Sequence, residues 1–150
     1  MSPHLGTEHY AIDHKGRLAI PGSMRRATGA RRSLDRFVLL AGLADGCLWL
    51  YDPDTFQETW GARLKKWQSG DEDRRAFARE FLRDARDVTV DSQGRVTIPP
   101  ALMGRAGLAR EAVLHGMYER IEIWSPERYQ ERQISDQRFK ELSERFLREE

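Results

Sequence analysis

"DHKGRLAIP" spans Asp13 to Pro21, and "DSQGRVTIP" spans Asp91 to Pro99. The two nonapeptides carry Asp, Gly, Arg, Ile and Pro at matching places. Each reads as one hairpin. The Asp ends a strand and accepts from the backbone just beyond it, and Gly16 or Gly94 supplies the left-handed turn conformation. Arg17 or Arg95 then opens the return strand within ion-pair reach of its Asp. A single copy is explained completely by turn chemistry and an exposed salt bridge of little energetic weight. Written twice with its charges intact, and leading each time through Ile-Pro into a short helix-like stretch, it marks a duplicated unit.

The duplication extends outward. The first copy is followed by "GSMRRATGA" (22–30) and "RFVLLAGLADGCLWLYDPDTF" (36–56), the second by "PALMGRAGL" (100–108) and "EAVLHGMYERIEIWSPERY" (111–129). Both halves therefore read strand, tight turn, strand, short helix, strand, turn, strand, then a proline that opens a helix. Alternation puts Leu48 and Leu50 on one strand face, and Ile121 and Ile123 likewise. Pro53 and Pro126 sit at first helical positions, each behind a capping residue, Asp52 or Ser125. Phe56, Trp60, Leu64 and Trp67 recur at helical spacing from Pro53 to Trp67. After the polar break "QSGDED", a second helix from Asp71 to Asp84 sets Phe77, Phe81 and Leu82 on one face. These two helices form a hairpin between the repeats. The remainder, Pro126 to Glu150, reads as an amphipathic helix with Tyr129, Phe139, Leu142 and Phe146 inward, packed on the body or on a neighbouring subunit.

Composition narrows the function classes. The 150 residues are 39% hydrophobic and 33% charged, as a globular chain would be. No apolar run approaches the ~18 residues of a membrane span. The opening "MSPHLGTEHY" lacks the basic-then-apolar pattern of a signal peptide, and Cys47 is the single cysteine, so a reducing, cytoplasmic setting is expected. Net charge is only +1, but it is uneven: Lys15, Arg17, Arg25, Arg26, Arg31, Arg32 and Arg36 outweigh Glu8, Asp13 and Asp35 in the first 36 residues. Arg outnumbers Lys 21 to 4, and a guanidinium suits two-pronged recognition of phosphate or guanine.

Catalysis is not expected. His4, His9 and His14 are spaced for neither a helix face nor a strand face, and Cys47 and His115 stand apart, so no metal is expected. "GLADG" and "GRAGL" lack the spacing and Lys-Ser/Thr of a phosphate loop, no serine has an evident base partner, and no cofactor is implied. Trp49, Trp60, Trp67 and Trp124 occupy apolar positions of strands and helices and are expected in the core. Cys47 reads as a small buried residue.

The paired Asp-x-x-x-Arg motifs, Asp13–Arg17 and Asp91–Arg95, each leading into Ile-Pro, together with "FVLLAGLADGCLWLYDP" and "RIEIWSPERY", resemble the MraZ family. These are bacterial regulators built from two SpoVT/AbrB-type repeats. The resemblance runs from about Leu5 to Tyr129. It implies an α+β, β-rich fold in which two β-β-α-β-β repeats interlock about a pseudo-two-fold as a swapped-hairpin β-barrel. The expected parts are repeat 1 (5–53), a helical connector (54–84), repeat 2 (85–126) and a C-terminal helical extension (127–150), all within one domain (1–150).

The resemblance also implies function. Such proteins assemble into rings and bind short G-rich direct repeats in the promoter of the division and cell-wall gene cluster that contains their own gene, usually repressing it. A nucleoid-associated transcriptional regulator with double-stranded DNA as partner is therefore expected. Carried over by position, the DNA-binding residues are Asp13, Arg17, Arg25, Asp91 and Arg95; Lys15 and Arg26 are added to them as further basic residues suited to phosphate contacts. Lys15, Arg25 and Arg26 form a basic cluster around the first copy. The second copy departs from it, with Met103 where the first has Arg25, so the N-terminal repeat is expected to supply more phosphate contact. Two further readings are a non-catalytic interaction ring held by Asp–Arg bridges between subunits, and an antitoxin-like DNA binder.

Overall fold

The computed structural model describes residues 4–25 and 35–150. The first repeat contributes strands β1 (Thr7–Ala11), β2 (Arg17–Ala19), β3 (Arg36–Ala41) and β4 (Leu48–Tyr51). The second contributes β5 (Arg86–Thr89), β6 (Arg95–Thr97), β7 (Glu111–Gly116) and β8 (Ile121–Trp124). Helices α1 (Pro53–Gln68) and α2 (Glu72–Leu82) lie between the repeats, and α3 (Pro100–Ala106) lies inside the second. After β8 come α4 (Pro126–Glu131) and α5 (Asp136–Arg148).

Isolated hairpins of this length are marginal in water, and the chain resolves this by exchanging strands between its halves. β3–β4 and β7–β8 pair locally, but β1 pairs with β7 and β5 with β3. β4 and β8 join the halves at the centre. The order β1-β7-β8-β4-β3-β5 is unchanged when the sheet is reversed and the repeats are exchanged, which is the expected pseudo-two-fold. β2 and β6 pair with each other in a separate two-stranded ribbon, with Leu18 opposite Val96 on the pseudo-axis. The interlocked α+β architecture is thus as the sequence implied. Among the described residues its ladder stays open, with the six-stranded sheet and the ribbon enclosing one core rather than forming a continuous barrel wall.

The alternation of β4 and β8 explains why both are buried on two sides. Leu48, Leu50, Ile121 and Ile123 face the ribbon, where they meet Leu18, Val96, Met24 and Leu102. Trp49, Tyr51 and Trp124 face the other way, against Trp60 of α1 and Phe81 of α2. Full burial of a side chain such as Leu50 contributes about 2 kcal/mol. Three layers result: helices, sheet, and ribbon with the short helical turns. All three of these tryptophans are core residues, and Cys47 is buried beside them.

The helix starts follow their caps. The Asp52 carboxylate accepts from the Asp54 N–H at 3.2 Å and from the Thr55 hydroxyl at 3.3 Å, and Pro53 fills the first helical position. Ser125 accepts from the Arg128 N–H in the same way. Of the stretch after the first Ile-Pro, Gly22–Met24 forms a 3-10 turn and residues 26–30 lie outside the described residues, while the second repeat forms α3 at the matching place. Two expectations are corrected. Phe77 and Leu82 are substantially exposed, leaving Phe81 as the large aromatic that α2 buries. The C-terminal helix is broken in two, because the Ser135 hydroxyl accepts from the Arg138 N–H at 3.0 Å and starts a fresh helix. Tyr129 packs against the aromatic cluster, but α5 buries nothing: Phe139 is 66% and Phe146 49% exposed.

Candidate nucleic-acid interface

Both repeated turns close in the same way. Asp13 Oδ1 accepts from the N–H groups of Lys15 and Arg17, each at 2.9 Å, and Oδ2 accepts from Arg17 Nε at 2.6 Å. Asp91 Oδ1 accepts from Gln93 and Arg95 N–H groups, also at 2.9 Å, and its Oδ2 accepts from Arg95 Nε at 3.0 Å. Each carboxylate therefore fastens its turn with one oxygen and its arginine with the other. The bond from the Arg17 N–H is the main reason that Asp13 is held down to about 2, and the Arg95 N–H lowers Asp91 likewise. Both stay ionised at neutral pH.

The turns are also stitched to the opposite repeat. The Gly16 carbonyl accepts from the Ile98 N–H at 2.8 Å, and the Gly94 carbonyl accepts from the Ile20 N–H at 2.9 Å. Gly16 has φ +79°, and a Cβ there would lie 2.8 Å from the Ile98 carbonyl oxygen, so glycine is demanded by both conformation and space.

The ribbon register decides what these turns present. Leu18 and Val96 point into the core, so Arg17, Ala19, Arg95 and Thr97 share the outer face. The two arginines are thereby brought together across the ribbon, and Arg95 Nη1 lies 3.8 Å from Asp13 Oδ2. Asp13, Asp91, Arg17 and Arg95 neutralise one another, leaving Lys15 at the first turn's tip and Arg25 as the surplus positive charge. With both Nε atoms committed, each arginine keeps Nη donors for an external acceptor. A two-stranded ribbon with a guanidinium pair on its outer face has the width and the donors for a DNA major groove.

Arg25 is not where the sequence reading placed it. It does not extend the basic cluster of the first turn; its Nε donates to the Ile20 carbonyl at 2.8 Å and its guanidinium covers the second turn, 3.2 Å from where a Gly94 Cβ would sit. Strand exchange is the cause, because it packs the helical turn of one repeat behind the hairpin of the other. Met103, at the matching position, takes no such seat at the first turn. A cleft of about 800 Å3 lies there instead, with Met103, Lys15 and Arg110 on its walls. Arg26 lies outside the described residues. Sequence reasoning also missed the approach of Arg95 to Asp13, which depends wholly on β2–β6 pairing and leaves no local signal.

Two interlocked four-stranded repeats carrying a central ribbon with paired Asp–Arg turns define a swapped-hairpin fold of the SpoVT/AbrB kind. Comparison with known proteins agrees. The family model described as "MraZ protein, putative antitoxin-like" matches residues 4–80 and again 81–149. The chain is 41% identical over 125 residues to the transcriptional regulator MraZ of Thermomicrobium roseum, covering 83% of each chain. It is 37% identical over 141 residues to that of Thermoanaerobacter pseudethanolicus, covering 93% of this chain and 94% of the relative. To that of Clostridium tetani it is 33% identical over 145 residues, covering 95% of each. The chain belongs to the MraZ family.

Proposed function

We propose that this protein is a DNA-binding regulator of transcription that lays its β2–β6 ribbon against short direct repeats in a promoter. The observation that carries the reading is the placing of Arg17 and Arg95 diagonally across the ribbon on its outer face, each held by a carboxylate at its Nε edge. Their Nη groups would donate to guanine O6 and N7, while Lys15 and Arg25 would contact phosphates. Family membership and relatives named as transcriptional regulators support the same role. The resemblance points further, to repression at the division and cell-wall cluster containing the protein's own gene and to a cytoplasmic, nucleoid-associated setting. A ring of several copies would suit repeated sites through multivalency. No helix is long and apolar enough to cross a membrane among the described residues.

The Asp–Arg pairs close within the chain at 2.6 and 3.0 Å, which weighs against their serving as bridges between subunits. The test is a gel shift with the DNA upstream of the protein's own gene, run at two salt concentrations. Affinity is expected to fall steeply with salt, by roughly 0.9 in log–log slope per phosphate neutralised. Arg17→Ala is expected to weaken binding strongly. Unchanged binding by the Arg17→Ala, Arg95→Ala double variant overturns the proposal.

A further inference from the structure

The pseudo-two-fold is broken in one place that matters. The two turns match bond for bond, yet each receives a different arginine from across the molecule. The second turn receives Arg25, seated over Gly94. The first turn has Met103 and a cleft of about 800 Å3 at that place, with Arg110 on the cleft wall rather than seated over Gly16. What reaches the first turn is Arg95, whose Nη1 lies 3.8 Å from Asp13 Oδ2, the same oxygen that accepts from Arg17 Nε at 2.6 Å. No reciprocal approach of Arg17 to Asp91 occurs. Arg95 is thus flanked by two carboxylates, at 3.0 Å from Asp91 and 3.8 Å from Asp13, while Arg17 has Asp13 alone.

An arginine flanked by two carboxylates has less positive field left for DNA than one flanked by a single carboxylate. We infer that Arg95 is a positioning residue for the first hairpin: through Asp13 it fixes the guanidinium of Arg17, which does the base reading, so that the two repeats read DNA as one coupled unit. The inference rests on the DNA-binding reading above and narrows it: of the two arginines set against guanine there, Arg17 makes the base contact and Arg95 supports it. Coupling is local and electrostatic, carried by one shared carboxylate oxygen in a neutral cluster of four side chains, all of them at most 37% exposed. Side chains sharing one ion-pair network are the kind whose substitutions fail to add.

The experiment is a double-mutant cycle on promoter DNA using the full chain. Arg17→Ala, Arg95→Ala and the double variant are titrated against the native site and against sites with each guanine replaced in turn. Thermal melts of each variant serve as folding controls. Arg17→Ala and Arg95→Ala are each expected to lose about 10- to 100-fold at the native site. Both should flatten discrimination at the same base positions, and the double variant should fall within about 2-fold of the worse single one. Arg95→Lys keeps the charge on which the coupling rests, so it should retain more affinity and discrimination than Arg95→Ala; Arg95→Gln, which removes the charge but keeps most of the volume, replaces Arg95→Ala if that variant does not fold. Multiplicative losses, or loss of discrimination at different base positions, overturn the coupling while leaving the DNA-binding reading intact. No change in any variant, the double included, overturns the reading itself.

Discussion

Single residues at the turns carry constraints that can be separated by mutation. Gly16 and Gly104 make the contrast plain: one is at φ +79° against a carbonyl oxygen, the other lies within α3 with nothing in reach of an added Cβ. Gly16→Ala is expected to cost at least about 1–2 kcal/mol, and Gly104→Ala to stabilise by about 0.5–1 kcal/mol, read as opposite shifts of the urea midpoint. Asp13 gives a pH signature. Its value is held at about 2, below the ordinary 3.8, so the stability it contributes is complete above about pH 4 and is lost as pH falls towards 2. Asp13→Asn should show a shallower drop in melting temperature across that window than the unaltered protein. Cys47 is 2% exposed and its thiol is pushed up to about 12 by burial and by the charges of Glu122 and Asp45. An aromatic disulfide reagent at pH 7.5 should react with it only after denaturant opens the core; rapid reaction with the folded protein would contradict this burial.

Elements announced themselves in the sequence where their signals were local. The Asp-x-x-Gly-Arg turns, the alternating Leu48/Leu50 and Ile121/Ile123 pairs, and the Asp52-Pro53 and Ser125-Pro126 helix starts all follow from neighbours a few residues apart. Asp52 is buried and engaged by two donors, so Asp52→Ala should lower stability by about 1–2 kcal/mol in a denaturant titration. The break before α5 was equally local: Ser135 followed by Asp136 is a cap followed by a first-turn acid, and the long charged run obscured it. What no local signal could give was which hairpin a given helix packs behind. Arg25 is four residues past Pro21, yet it lies on the turn of Gly94, because strand exchange sends each Ile-Pro segment across the molecule. The Arg95–Asp13 approach was hidden for the same reason.

At the scale of the molecule, neither repeat owns a complete sheet. β1 needs β7, β2 needs β6, and β5 needs β3. Residues 1–80 and 81–150 expressed separately are therefore expected to show no cooperative unfolding transition, and to regain one on mixing; circular dichroism during a thermal melt decides it. Independent folding of either piece would show the exchange to be dispensable. The hairpin of α1 and α2 acquires a second meaning from this. Besides covering Trp49 and Trp124, it is the tether that lets two halves find each other within one chain. Its reach sets the local concentration of each half around the other. Replacing residues 54–84 by a linker too short to span the sheet would leave the same strands seeking the same partners, now in another chain. Every closed fold unit would then hold halves of two chains, and native mass spectrometry should find assemblies of two or more chains with no folded monomer. The connector is in that sense a counting device, which decides how many polypeptides make one ribbon.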